Sequence, residues 1–301
     1  MKQRSLSREA VTRFSYACIQ RYSEVRIFNC IVLNTGDSLP TMRTILVIAV
    51  LLSCCAITAT AQKSVPLSQE QLAEITARGR MLFEYDQAAW HATDAVLAAH
   101  PKGDNSSRFV CRKEERGWIC VFGHLDADKF LIDYEVVQEG SPEESQARLH
   151  EPPAEDTGFY FTGVKAMMIA GKDFQITAEK RPDNPVVLPA PSGQFYVYMI
   201  PAQTKDGVFP LGGDARYLVA ADGNSIIEKR QLHKAILERT AQVPGGGKLA
   251  AGFHNHVLSD VPEDTDVFYV WSRKPLVPEM IGMTKKQVYK VETNGTIKLL
   301  K

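Results

Sequence analysis

The chain has 301 residues with 35 basic and 35 acidic side chains, a formal net charge of zero, and no block of like charge beyond position 61. That balance argues against a nucleic-acid partner, because binding phosphates needs a basic stripe. Residues 62–301 are long enough for one large core or two modest ones, and two small domains are expected.

Residues 42–61 have the three parts of a secretory signal: Arg43, an apolar run over 45–52, and the small-residue exit Ala59-Thr60-Ala61 before Gln62. A membrane-spanning helix would need roughly 20 unbroken apolar residues, and Ser53, Thr58 and Thr60 interrupt this run. The expectation is a periplasmic or secreted protein beginning at Gln62, with no transmembrane segment once the signal is removed. Residues 1–41 read as translation begun upstream of the true start. The alternative, lipoprotein cleavage at Leu51-Leu52-Ser53-Cys54, suits the motif less well because Leu52 is a poor fit there. Of six cysteines only Cys111 and Cys120 lie beyond the signal. In an oxidising compartment an even pair suggests a disulfide, the alternative being two buried thiols.

Residues 67–100 read as helix, as one element or two, with Ser68 placed to cap and Leu72, Ile75, Leu82, Phe83, Ala89 and Trp90 at helical spacing. Residues 108–111 and 118–122 alternate around a charged tip and predict a hairpin with Cys111 facing Cys120. A strand follows at 130–137. Residues 138–157 read as loop or edge because of Pro142, Pro152 and Pro153, while 158–176 fits no single pattern. Residues 67–180 are thus expected to form an α+β unit, a helix with a small antiparallel sheet. The prolines of 181–191 read as a linker. Beyond it, 192–301 is expected to be a second, mixed-sheet domain. Strands are predicted at 194–200, 216–220, 225–230 and 248–253, then a short helix begun at Asp264, and strands at 281–283, 287–291 and 296–300.

The strand over 248–253 leads into His254-Asn255-His256, and Val261-Pro262-Glu263-Asp264-Thr265-Asp266 follows. Histidines at i and i+2 of a strand point to one face, so both rings can reach one ion. An aspartate at the start of the next helix would close a three-ligand site with a fourth position left for water, the arrangement of catalytic zinc. The competing reading makes the histidines partners of carbonyls and Asp264 and Asp266 helix caps. His91, beside Trp90 and near Asp86 and Asp94, is explained by a helix packing Trp90 inward, and His233 reads as a surface or core histidine. Gly212-Gly213 and residues 245–247 lack the lysine of a phosphate loop, and no G-x-S-x-G elbow occurs.

The order H-x-H, loop, proline, aspartate resembles the JAMM (JAB/MPN) metalloprotease fold over residues 192–301. The resemblance implies zinc held by His254, His256 and Asp266, and hydrolysis of an amide or isopeptide bond. Glu263 stands where that family has serine, the loop after His256 is one residue shorter, and the strand over 194–200 has no acid to match the family's general base, so no catalytic residue is assigned. Glu228, the nearest upstream acid in a strand, is given no role. The rival expectation is a non-catalytic exported binding or scaffold module that recognises a peptide or envelope component.

Overall fold

The computed structural model describes residues 66–99, 108–140, 145–177, 181–240 and 247–300. The expectations for residues 1–41 and for the signal at 42–61 lie outside the described residues. The first element is one continuous helix, α1 (Gln69–Ala99). Ser68 and Gln71 form a reciprocal cap: Ser68 Oγ accepts from the Gln71 amide at 3.2 Å, and Gln71 Oε1 accepts from the Ser68 amide at 2.9 Å.

The first sheet is antiparallel, in the order β1 (Arg108–Glu114), β2 (Gly117–Asp126), β3 (Lys129–Gln138), β4 (Ala147–Asp156). Cys111 pairs with Cys120 across β1 and β2, and the two form the expected disulfide. β4 occupies part of the stretch read as loop or edge. It is an edge strand, and its register shifts between the pairs Ile132–Ala154 and Tyr134–Leu149, so Pro152 and Pro153 fall in the irregular stretch where no ladder donor is needed. Residues 158–176, unassigned from the sequence, form most of α2 (Phe159–Thr177).

The expected linker is instead largely a strand, β5 (Asp183–Pro189). It is the edge of a second antiparallel sheet ordered β5, β6 (Phe195–Pro201), β8 (Ala215–Val219), β9 (Ile226–Gln231), where Pro185 and Pro189 can sit without breaking a central ladder. A ribbon of β7 (Val208–Gly212) and β10 (Ile236–Thr240) stands apart from that sheet. Helix α3 (Asp264–Ser272) follows β11 (Gly252–Asn255). The last sheet is mixed: β11 runs parallel to β12 (Glu279–Gly282), and β13 (Val288–Val291) and β14 (Ile297–Leu299) continue antiparallel.

The fold is α+β, and its three cores explain how these layers meet. One lies between the first two sheets and α2, with Val121, Phe130, Val164, Met167, Val197 and Tyr217. A second packs α1, through Leu82, Tyr85 and Ala92, on Phe122, Val136 and Tyr198. The third joins the start of α1, Leu72 and Ile75, to Val267 and Val270 of α3 and to Ile281, Tyr289 and Val291. Each core therefore takes residues from both sides of 181–191, and the described residues from Leu67 onward group into one compact unit. Among the described residues, no helix is long and apolar enough to cross a membrane.

Candidate metal centre

Strand β11 is held by its parallel neighbour: the Gly252 amide donates to Pro278 O and the His256 amide to Gly282 O, both at 2.9 Å. Between those anchors His254 and His256 project to the same side, as the strand period requires. Helix α3 then begins with Glu263 as its N-cap residue. Asp266, three residues on, completes a capping box in which its Oδ2 accepts from the Glu263 amide at 2.7 Å. The capping reading of this aspartate is thus correct for one oxygen. The other, Oδ1, faces His254 Nε2 at 3.1 Å and His256 Nε2 at 3.3 Å.

A third histidine joins them. His233 Nε2 lies 3.2 Å from Asp266 Oδ1 and 2.9 Å from His256 Nε2. Of the two readings of His233 from the sequence, surface or core, its burial bears out the core one, and its ring points into the cluster. It sits in the connection after β9, a place without periodic pattern, and is held from behind by Asp214, whose Oδ1 is 2.7 Å from His233 Nδ1. Asp214 reaches that position because Gly212 and Gly213 turn the chain with φ of 82° and 70°. A side chain at Gly212 would meet Ala235 O at 2.5 Å and His233 Cβ at 2.9 Å.

One ligand atom from each of His233, His254, His256 and Asp266 lies within 4.8 Å of the others. The residues are 7%, 3%, 3% and 0% exposed, so the cluster is sealed from solvent. Each ring has its second nitrogen engaged. His233 Nδ1 faces Asp214, His254 Nδ1 faces Glu279 Oε1 at 2.9 Å, and His256 Nδ1 faces the Val261 carbonyl at 2.9 Å. Carboxylate and carbonyl oxygens accept, so in neutral rings Nδ1 carries the hydrogen and each Nε2 presents its lone pair to the common point. Lone pairs this close repel one another unless a positive charge stands among them.

The donor set fits a metal ion. A tetrahedral ion with bonds of about 2.0–2.1 Å sets its ligand atoms roughly 3.3 Å apart, close to four of the six separations, which run from 2.9 to 3.3 Å, while the other two lie within 4.8 Å. Charge fits as well. Three carboxylates, Asp214, Asp266 and Glu279, touch the rings, and among the described residues Arg273 offsets one of them by pairing with Glu279 at 2.5 Å. With all three rings neutral the deficit of two equals the charge of a divalent cation, whose place protons on the rings take when no ion is bound.

Protonation reflects the same fields. Burial opposes a charged His233, but Asp214 and Asp266 outweigh it and hold its pKa well above the usual histidine value. For His254 burial is likewise outweighed, by Asp266 and Glu279, and its pKa is raised. Burial would raise Asp266, yet the three histidines hold it well below the ordinary carboxylate range. Glu263 goes the other way, pushed by burial to about 7 despite Arg230 at 2.5 Å. Asp264, read from the sequence as a helix cap, turns away from the centre: it accepts from Tyr198 at 2.6 Å and pairs with Arg78 at 3.0 Å and Arg216 at 3.2 Å. Glu228 is exposed on β9.

Comparison of the chain with protein-family models, with curated proteins and with solved structures found no match.

Proposed function

We propose that the protein is an exported zinc-binding module whose His3Asp centre is closed and structural, tying the connection after β9, strand β11 and helix α3 into one frame. The observation that carries this reading is His233, a fourth protein ligand where a catalytic zinc keeps a position for water. Burial of all four residues supports it further. Three imidazoles and one carboxylate suit zinc better than calcium or magnesium, which favour all-oxygen sites. The JAMM-like arrangement of His254, His256 and Asp266 is kept in this reading without the family's activity, since His233 takes the open position and strand β6 carries no acid where the family has its general base. The module's partner is then a peptide or envelope component rather than a substrate.

Metal analysis of the purified mature protein tests the proposal. One zinc per chain is expected, with no turnover of peptide or isopeptide substrates. Absence of stoichiometric metal would end the zinc reading. Zinc-dependent cleavage of an amide bond, lost in His254→Ala, would establish the hydrolase in its place.

A further inference from the structure

We infer that Glu279 and Asp214 are positioning residues that set the metal affinity of the centre from behind its ligands, an inference that rests on the zinc-binding reading. Neither reaches the common point. Each occupies the far nitrogen of one histidine, Glu279 on His254 and Asp214 on His233, and both are nearly fully buried, 1% and 2% exposed. An imidazole free to rotate or to exchange its tautomer would present Nδ1–H as often as a lone pair. A fixed acceptor behind the ring removes that freedom and makes the ligating nitrogen more basic.

Glu279 is itself fixed. Arg273 Nη1 pairs with Glu279 Oε2 at 2.5 Å, while Arg273 Nη2 donates to Val277 O at 2.6 Å and Pro278 O at 2.9 Å. The guanidinium is thus fastened to the chain entering β12, and with Oε2 engaged, Oε1 remains to accept from His254. The backbone leaves room for this pair at one point. A Cβ at Gly252 would fall 1.8 Å from Glu279 Oε2 and 2.6 Å from Arg273 Nη1. Glycine at the start of β11 therefore belongs to the same device as the carboxylate, although it touches no ligand.

Zinc affinity, read by competition against a chromophoric chelator, provides the test for wild type, Glu279→Gln and Asp214→Asn. Each variant should bind zinc about 10- to 100-fold more weakly. The affinities are compared at a temperature at which the chelator-treated apo variants remain folded, so that the buried Arg273 left without its partner in Glu279→Gln is not read as lost affinity. Cobalt loaded in place of zinc should show an altered visible spectrum in Glu279→Gln, because His254 is no longer held. Should Glu279→Gln fail to fold, Asp214→Asn carries the test on a different ligand and element. Variants that match wild type in zinc affinity and cobalt spectrum overturn the inference and leave the metal centre standing. A wild-type protein that binds neither ion overturns the zinc-binding reading and this inference with it.

Discussion

Arg78 of α1 donates to Asp264 at the head of α3 across 3.0 Å, so the first helix of the described chain is fastened to the turn that also presents Asp266 to the histidines. One residue beyond Arg78, Gly79 lets the two helices touch: a Cβ there would lie 2.5 Å from Val267 Cβ and 2.6 Å from Asp264 O. Replacing a helical glycine by alanine normally gains up to about 1 kcal/mol. Here overpacking should dominate, and Gly79→Ala is expected to destabilise by about 1–3 kcal/mol in denaturant unfolding. An increase in stability would show that the helices separate without cost.

Metal removal should weaken the fold. A ligand that binds only the native state stabilises it by about 4 kcal/mol when present at a thousand times its dissociation constant. Chelator is therefore expected to lower the melting temperature, and zinc to restore it. His256→Ala should abolish the response, whereas Glu228→Gln, altered on the exposed side of β9, should keep it. Calorimetry with and without chelator measures all three.

The H-x-H pair and Asp266 were legible in the sequence because each follows from local geometry: strand alternation for the histidines, the first turn of a helix for the aspartate. His233 was not. It comes from an aperiodic connection, and what aims it is the Gly212-Gly213 turn, which resembles any other glycine pair until Asp214 is seen behind the ring. Glu279 and Arg273 carry no local signal, because only the parallel pairing of β11 with β12 brings the carboxylate beside His254. The missed elements share a different cause. Helix α2 packs Phe, Tyr and Met residues against two sheets and so lacks a single apolar stripe, and β5 is a strand whose prolines are tolerated because it lies at a sheet edge.

The Cys111–Cys120 disulfide closes a short loop, its cysteines separated by 9 positions. Restricting the unfolded chain over such a loop contributes about 2–3 kcal/mol. The Cys111→Ala/Cys120→Ala double variant should lose that amount in equilibrium unfolding, with its zinc content unchanged. A loss of metal as well would show that the hairpin and the centre are coupled.

Asp183, at the start of β5, has its pKa raised from 3.8 to about 6 by burial, its own backbone amide offsetting only part of that rise. A carboxyl raised in the folded state costs nothing while it is protonated in both states. As pH rises from about 4 through 6 the unfolded chain ionises first, so this residue lowers stability over that window and keeps it lowered above. Asp183→Asn should match wild type near pH 3, where the carboxyl is largely protonated in both states, and exceed it at pH 7 by on the order of 2–3 kcal/mol. Equal stability of the two proteins at pH 7 would refute the assignment.

Helix α1 buries Leu72 and Ile75 against Ile281, Tyr289, Val291 and Ile297, so the beginning of the described chain is finished by its end. A ribosome delivers the chain in the opposite sense, N-terminus first. Throughout that synthesis helix α1 carries an apolar stripe whose partners from the last strands have yet to emerge. Closure of this core must wait for the last strands, which makes the fold one of long-range contacts and late assembly. A chain cut short after α3 would keep its disulfide hairpin, His233, His254, His256 and Asp266, yet it would lose Glu279 and leave Leu72 and Ile75 bare, an invitation to aggregate.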